Sequence, residues 1–460
     1  MRVAVLGAGL AGLSAADVLS RRGAEVVVLE KEERLGGLAS TIRAGGFCFD
    51  PGPHRFHTMD PAILERVQRL LPNTLTTLER VSRIRLMDRY FRYPLALGDV
   101  LRQMPKVRGA GMLASYLKEK LLGAFRGRSD EDFESWVVSR FGRSLYDIYF
   151  GPYTAKLWGC PPAMLSSDWA SQRITVPSLT GLMKETLFPG KKKSRSLVST
   201  FHYPEGGIGK ISEAMADRIT SRGGTIKKGT GVTSIVPQEG GGFRVTAGGS
   251  EIRVDRIVNT IPVTSYLKAM GKAVPHGVLE SAEKLTFRAI VFVTVRIRGE
   301  RPPLSDHWIY TPEERYRFNR ISIPENFHST PDVDGWQAVF EFTCSIGDKV
   351  WDSGDELVEE TVTGGEALGI FRERDVVDSM VYRQTHAYPV YLKGYTEHTS
   401  RVLDFLEDLE GSVTCGRQGL FRYNNMDHSI EMGRWAALET LGEGSVRKHF
   451  NWSRSTWADG

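Results

Sequence analysis

The chain has 460 residues, 41% of them hydrophobic and 25% charged, and its 60 basic and 55 acidic side chains leave a formal net charge of +5. That length exceeds what one hydrophobic core usually serves, so two or three domains are expected, and the composition excludes a disordered or fibrous chain. So small a charge argues against nucleic acid as a partner. The four cysteines, Cys48, Cys160, Cys344 and Cys415, are far apart and lack C-x-x-C spacing. This argues against a zinc site, a redox pair or a disulfide framework and suits a reducing cytoplasm. No apolar run approaches the roughly 20 residues of a spanning helix. A glycine-rich segment stands where a signal peptide would be cleaved, so a cytoplasmic location without a membrane span is expected.

Residues 3–6 (VAVL) read as a buried parallel strand, and Gly7-Ala-Gly9-Leu-Ala-Gly12 follows at once. A helical stretch over 13–22 is stopped by Gly23, and a second strand, 25–29, ends in Glu30. Such a βαβ unit binds a dinucleotide. Gly7 makes the tight turn, Gly9 lets the backbone approach a pyrophosphate, and Gly12 allows close helix–strand packing. Helix N-terminal amides meet the phosphates, and Glu30, 18 residues after Gly12, accepts from a ribose hydroxyl. Gly36-Gly37 follows in ERLGGLAST, and the chain runs on into GGFCFDPGPHRFHT without the second half of an NAD domain, which selects FAD.

Residues 40–58 read as strands and turns, 61–71 and 112–149 as helices, and 96–199 as a helical insertion. KKKSRS at 191–196 reads as a solvated connector, with an anion-gating flap as the alternative. A glycine-rich turn and amphipathic helix over 203–219 lead into strands over 224–259. A strand-rich stretch over 265–390 has its clearest strands at 289–297 and 337–343 and should form a mixed sheet under the substrate. The tail brings a strand to Gly416 and starts a helix near Asp427. The expected fold class is α/β: a discontinuous Rossmann-like FAD domain (1–95, 200–264 and 391–460), the insertion (96–199) and a mixed-sheet substrate domain (265–390).

The glycine segments resemble the FAD families that include amine oxidases, protoporphyrinogen oxidases, phytoene desaturases and UDP-galactopyranose mutases. Several segments resemble the mutases in particular. GPHRFHT (52–58) is similar to their histidine loop, FGPYTAKLWG (150–159) with DWASQRI (168–174) to their substrate helix, and FNRIS (318–322) to an arginine-bearing strand. AYP (387–389) and GRQGLFRYNNMD (416–427) resemble their two tyrosine segments. The resemblance implies that Arg173 and Arg320 grip the diphosphate of a nucleotide-sugar, with Tyr388 and Tyr423 donating to the same oxygens. It places Arg417 and His54 beside the flavin, with His57 also in that loop. FAD would be held by Gly7, Gly9, Gly12, Glu30, Lys31, Gly36, Gly37 and Leu38, together with His54, Arg417, Asn425, Met426 and Ser429. Guanidinium forks match phosphate oxygens. Trp158 reads equally as core or as a base-stacking platform.

The implied activity is a flavin-dependent nucleotide-sugar mutase, isomerising pyranose and furanose forms through an adduct of the sugar with N5 of reduced FAD, with NADH or NADPH as reductant. No Ser-His-Asp set, metal-ligand cluster or carboxylate pair stands out in the sequence. Asn424-Asn425 departs from the mutase pattern and leaves base and sugar open. The alternatives are an FAD-dependent oxidase or desaturase, expected to have an apolar pocket, and a flavin-free lipid carrier, which the intact glycine motif and Glu30 oppose.

Overall fold

The computed structural model describes residues 1–93, 95, 100, 103–126, 130–174, 200–330 and 333–450. Its first sheet is parallel throughout, in the spatial order Ser412–Thr414, Arg256–Asn259, Arg2–Leu6, Glu25–Leu29, Thr225–Lys227. Burial on both faces explains why these strands read as continuous apolar runs. Val3, Val5, Val26, Val28 and Val258 pack with the helices Leu10–Arg21, Lys210–Ser221 and Met426–Thr440. Ala4, Leu6, Val27, Leu29 and Ile257 face the other way, onto the helices Val263–Met270, His276–Glu283 and Tyr395–Glu407. The strand period of two divides the side chains between the layers.

The first helix begins at Leu10, three residues ahead of the expected 13–22, so Gly12 lies inside it. A Cβ on Gly12 would stand 2.0 Å from the Gly7 carbonyl oxygen, so only hydrogen fits there. Gly7 itself has φ +96°, a conformation that glycine adopts without penalty.

The second sheet has seven strands, in the order Val376–Pro389, Phe287–Ile297, Trp336–Cys344, Arg320–Ser322, Trp308–Tyr310, Ser82–Leu86, Arg89–Arg92. All its pairings are antiparallel except that of Trp308–Tyr310 with Ser82–Leu86, so the sheet is mixed. The hairpin over 82–92 thus pairs into this sheet, whereas a cofactor-domain boundary at 95 groups it with the first. Its turn residues and alternating Arg and apolar side chains do not say which sheet edge it will meet. Likewise the helices over 263–283 belong by packing to the first sheet. Helices Lys106–Arg126, Phe133–Phe141, Gly151–Trp158 and Ser167–Arg173 are the longer helices in the described part of the insertion. Lys156 docks it on the second sheet, donating to the carbonyls of Thr311 (2.7 Å) and Glu313 (2.6 Å).

Candidate functional site

A cavity of about 350 Å³ starts at the carboxyl ends of strands Arg2–Leu6 and Glu25–Leu29 and reaches strand Val376–Pro389. The residues at its first end fit a dinucleotide. Gly9 caps the helix Leu10–Arg21 without a side-chain bond, so the amides of the first turn have no acceptor from a capping side chain. Added at Gly9, a Cβ would meet nothing nearer than 3.9 Å, which leaves room for phosphate oxygens against the backbone. The Gly36 amide donates to the Ala8 carbonyl at 2.8 Å, closing the second glycine pair onto the first. The Glu30 carboxylate accepts from the Ala8 amide at 2.7 Å and the Glu32 amide at 3.0 Å. Burial raises its pKa, and those two amides oppose the rise. Each oxygen keeps a lone pair for a ribose hydroxyl.

Of the residues expected to hold the cofactor, Gly7, Gly9, Glu30, Lys31, Gly36, Gly37, Leu38, His54, Arg417, Asn425, Met426 and Ser429 all line this cavity. Gly12 does not line it; it acts one layer behind, by bringing the helix against Gly7. Gln384, Thr385 and His386 on the long strand also line it, as do Thr260 and Pro262 after the strand Arg256–Asn259. Strand periodicity marks none of these, because they reach the cavity only when the two sheets meet.

Beyond His54 lies a polar and aromatic cluster. Arg320 forms a bidentate pair with Glu341, both contacts 2.7 Å, across adjacent strands where the two residues are register partners. Glu341 is completely buried, and Arg320 is 19% exposed. Burial is the largest single influence and disfavours the guanidinium, but the charge and hydrogen bonds of Glu341, with Tyr388 and Tyr310, together outweigh it and hold the pKa well above the ordinary value. Tyr388 stacks on Tyr423 (centroids 5.8 Å apart, 16° between planes), and the Arg417 guanidinium lies 4.3 Å from the Tyr423 ring centre. Arg417 also donates to the carbonyls of Asn424 (2.6 Å) and Ala387 (3.3 Å), so it ties the tail to the end of the long strand. Trp158 packs edge-on against Tyr388 and Trp169, and Trp169 against Tyr423. His54 faces the cavity from deep in the protein; burial first, then the charges of Arg320 and Arg417, lower its pKa to about 3. It is a neutral imidazole at working pH, and its Nδ1 lacks a hydrogen-bond partner among the described residues.

The structure therefore brings His54, Arg320, Arg417, Tyr388 and Tyr423 together. Arg173 is the last residue of the helix Ser167–Arg173, and its side chain lies outside the described residues, as does KKKSRS. Glu341 was not anticipated, although a lone acid in QAVFEFT is a signal: a carboxylate in an apolar strand needs a cation. Tyr153 and Tyr310, edge to face at 5.8 Å, were also missed; Tyr310 lies 6.0 Å from the Arg320 guanidinium. A separate cavity of about 470 Å³ beside helix Tyr395–Glu407 shares none of the glycine loops. Among the described residues there is no metal-binding group of three or more His, Cys, Asp or Glu, and no helix is long and apolar enough to cross a membrane.

This chain is similar along nearly its whole length to known flavoproteins. It is 21% identical to protoporphyrinogen oxidase of Bos taurus over 486 aligned residues, covering 96% of this chain and 98% of that protein. The structure of reduced UDP-galactopyranose mutase superposes with a TM-score of 0.85 at 22% identity, covering 100% of this chain and 99% of that one. Cyclohexylamine oxidase from Brevibacterium oxydans IH-35A gives 0.67 at 15% identity, covering 96% and 99%. At these identities the structural likeness is one of fold, which is the α/β flavoprotein fold described above. With residues 10–362 matching the family described as flavin containing amine oxidoreductase, the chain belongs to that family and is an FAD-dependent enzyme of the amine oxidase superfamily.

Proposed function

We propose that the enzyme is a flavin-dependent nucleotide-sugar mutase. The observation that carries this reading is the convergence of Arg320, Arg417, Tyr388 and Tyr423 beside His54, at the mouth of the cofactor cavity. An anionic substrate suits such a wall better than an apolar one does. Reduced FAD would supply a nucleophilic nitrogen for the anomeric carbon of the sugar. Arg320 keeps its Nη1 edge free of Glu341 and would take a diphosphate oxygen as negative charge develops on the leaving group. Tyr388 holds its proton, because burial raises its pKa, and would donate to the same group. His54, neutral and acceptor-capable at Nδ1, would hold a proton-bearing edge of the ring system without adding charge.

A second reading, an oxidase or desaturase, is favoured by the aromatic cage of Trp158, Trp169, Tyr388 and Tyr423 and by the oxidases among the relatives. The dithionite-reduced protein is to be incubated anaerobically with UDP-, TDP- and GDP-hexoses and the products separated. The mutase reading expects an isomeric sugar nucleotide only from the reduced enzyme, without net consumption of reductant. Stoichiometric use of oxidant or reductant per turnover would refute it and select the oxidase.

A further inference from the structure

Behind Tyr310 the substrate cluster continues into a pair of arginines that the proposed chemistry does not use. Arg55, next to His54 in the loop 52–58, lies with its guanidinium 5.2 Å from the Trp308 ring centre. Arg80, between the strands Leu75–Glu79 and Ser82–Leu86, lies 5.6 Å from the Tyr93 ring centre and donates to the Tyr93 carbonyl at 3.2 Å. Trp308 and Tyr310 are two apart on one strand and so share a face, and Tyr93 packs on Tyr310 with centroids 4.6 Å apart. The two cations therefore flank one continuous aromatic wall. That wall runs on from Tyr310 to Arg320 at 6.0 Å.

Neither arginine has an ion pair among the described residues, in contrast with Arg83, which binds the fully buried Asp306 on the same sheet. The Nη1 atoms of both Arg55 and Arg80 are buried without a hydrogen-bond partner among the described residues. Burial, followed by the charge of Arg55, lowers the Arg80 pKa. Stacking on aromatic rings stabilises a guanidinium but leaves its N–H groups unsatisfied. Two neighbouring guanidinium groups, each keeping a buried Nη1 without a partner among the described residues, match an oxyanion.

We propose that Arg55 and Arg80 form a second oxyanion site, which receives an acidic group of the substrate separate from the diphosphate at Arg320. That the two sites are separate rests on the reading of Arg320 as a diphosphate ligand; the Arg55–Arg80 site itself stands on its own residues. Two sources share the chemistry: a carboxylate on the sugar, and a further phosphate. Arg320 is already neutralised by Glu341, so the unpaired site should be the stronger trap for a simple oxyanion.

The test is calorimetric titration of the FAD-loaded protein with inorganic phosphate, in the unaltered chain and in the Arg55→Gln, Arg80→Gln and Arg320→Lys variants. Flavin absorbance and thermal midpoint report whether each variant is folded; if Arg55→Gln fails to retain FAD, Arg80→Gln carries the test. At least a tenfold loss of phosphate affinity is expected in the Gln variants, with little change in Arg320→Lys. Unchanged affinity in a folded Gln variant overturns the proposal, and so does a loss confined to Arg320→Lys. Comparing UDP-glucuronate with UDP-glucose then separates the sources. A preference for the acidic sugar that vanishes in Arg80→Gln assigns the site to a sugar carboxylate, and a phosphate effect without that preference assigns it to a phosphate. Absence of sugar-nucleotide isomerisation would sink the mutase reading while leaving the phosphate result intact.

Discussion

Removing the charge of Glu341 tests whether the buried pair with Arg320 governs this end of the site. Glu341 has no exposure and receives two hydrogen bonds of 2.7 Å from one guanidinium. At a charge separation of about 4 Å and an effective dielectric of about 20, their attraction is about 4 kcal/mol, most of it consumed by desolvation. Breaking such a pair from one side nevertheless costs about 3–5 kcal/mol, because the surviving charge stays buried and unpaired. Glu341→Gln and Arg320→Gln should each destabilise by about that amount, and the double variant by much less than their sum. Urea unfolding of the FAD-loaded protein, followed by tryptophan fluorescence and by flavin release, gives the cycle. Additivity within about 0.5 kcal/mol would refute the reasoning, since independent sites behave that way.

Gly12→Ala should cost about 1–3 kcal/mol through overpacking, because the new Cβ meets the Gly7 carbonyl at 2.0 Å. It should also leave the purified protein largely colourless; full flavin content at an unchanged thermal midpoint would contradict the close-packing role. His54 has its folded pKa lowered to about 3 by burial and by Arg320 and Arg417, against about 6.5 unfolded. The unfolded chain therefore binds the extra proton between those values, and this residue's contribution to stability is present above about pH 6.5 and lost as pH falls toward 3. His54→Asn should flatten that acid limb in pH-dependent denaturation, and an unaltered limb would place the histidine in a more solvated setting.

The cofactor end was the most legible part of the chain because its determinants are local. Gly7, Gly9, Gly12 and Glu30 fall within 24 consecutive residues and form one strand–turn–helix–strand unit, whose conformation follows from short-range sterics and a period change from two to 3.6. The parallel run character of 3–6 and 25–29 foretold burial on both faces, and the tail motif foretold the helix that starts at Met426. The first helix began earlier than its apolar pattern suggested, since Gly12 inside it and Gly9 at its cap carry no hydrophobic signal. Motif resemblance, not periodicity, singled out Arg320, Tyr388 and Tyr423.

The assignment of the 82–92 hairpin to the second sheet lay beyond a one-dimensional pattern. So did the partnership of Arg320 with Glu341, which depends on strand register, and the meeting of Arg55 with Arg80 across an aromatic wall. In each case the sequence determined the element, its apolar face and its chemistry, because those depend on neighbours within a few residues. Tertiary structure alone decided which charges end up as neighbours, since residues 21 to 25 or more positions apart meet only when strands choose their neighbours, and that choice is made by burial of the whole sheet.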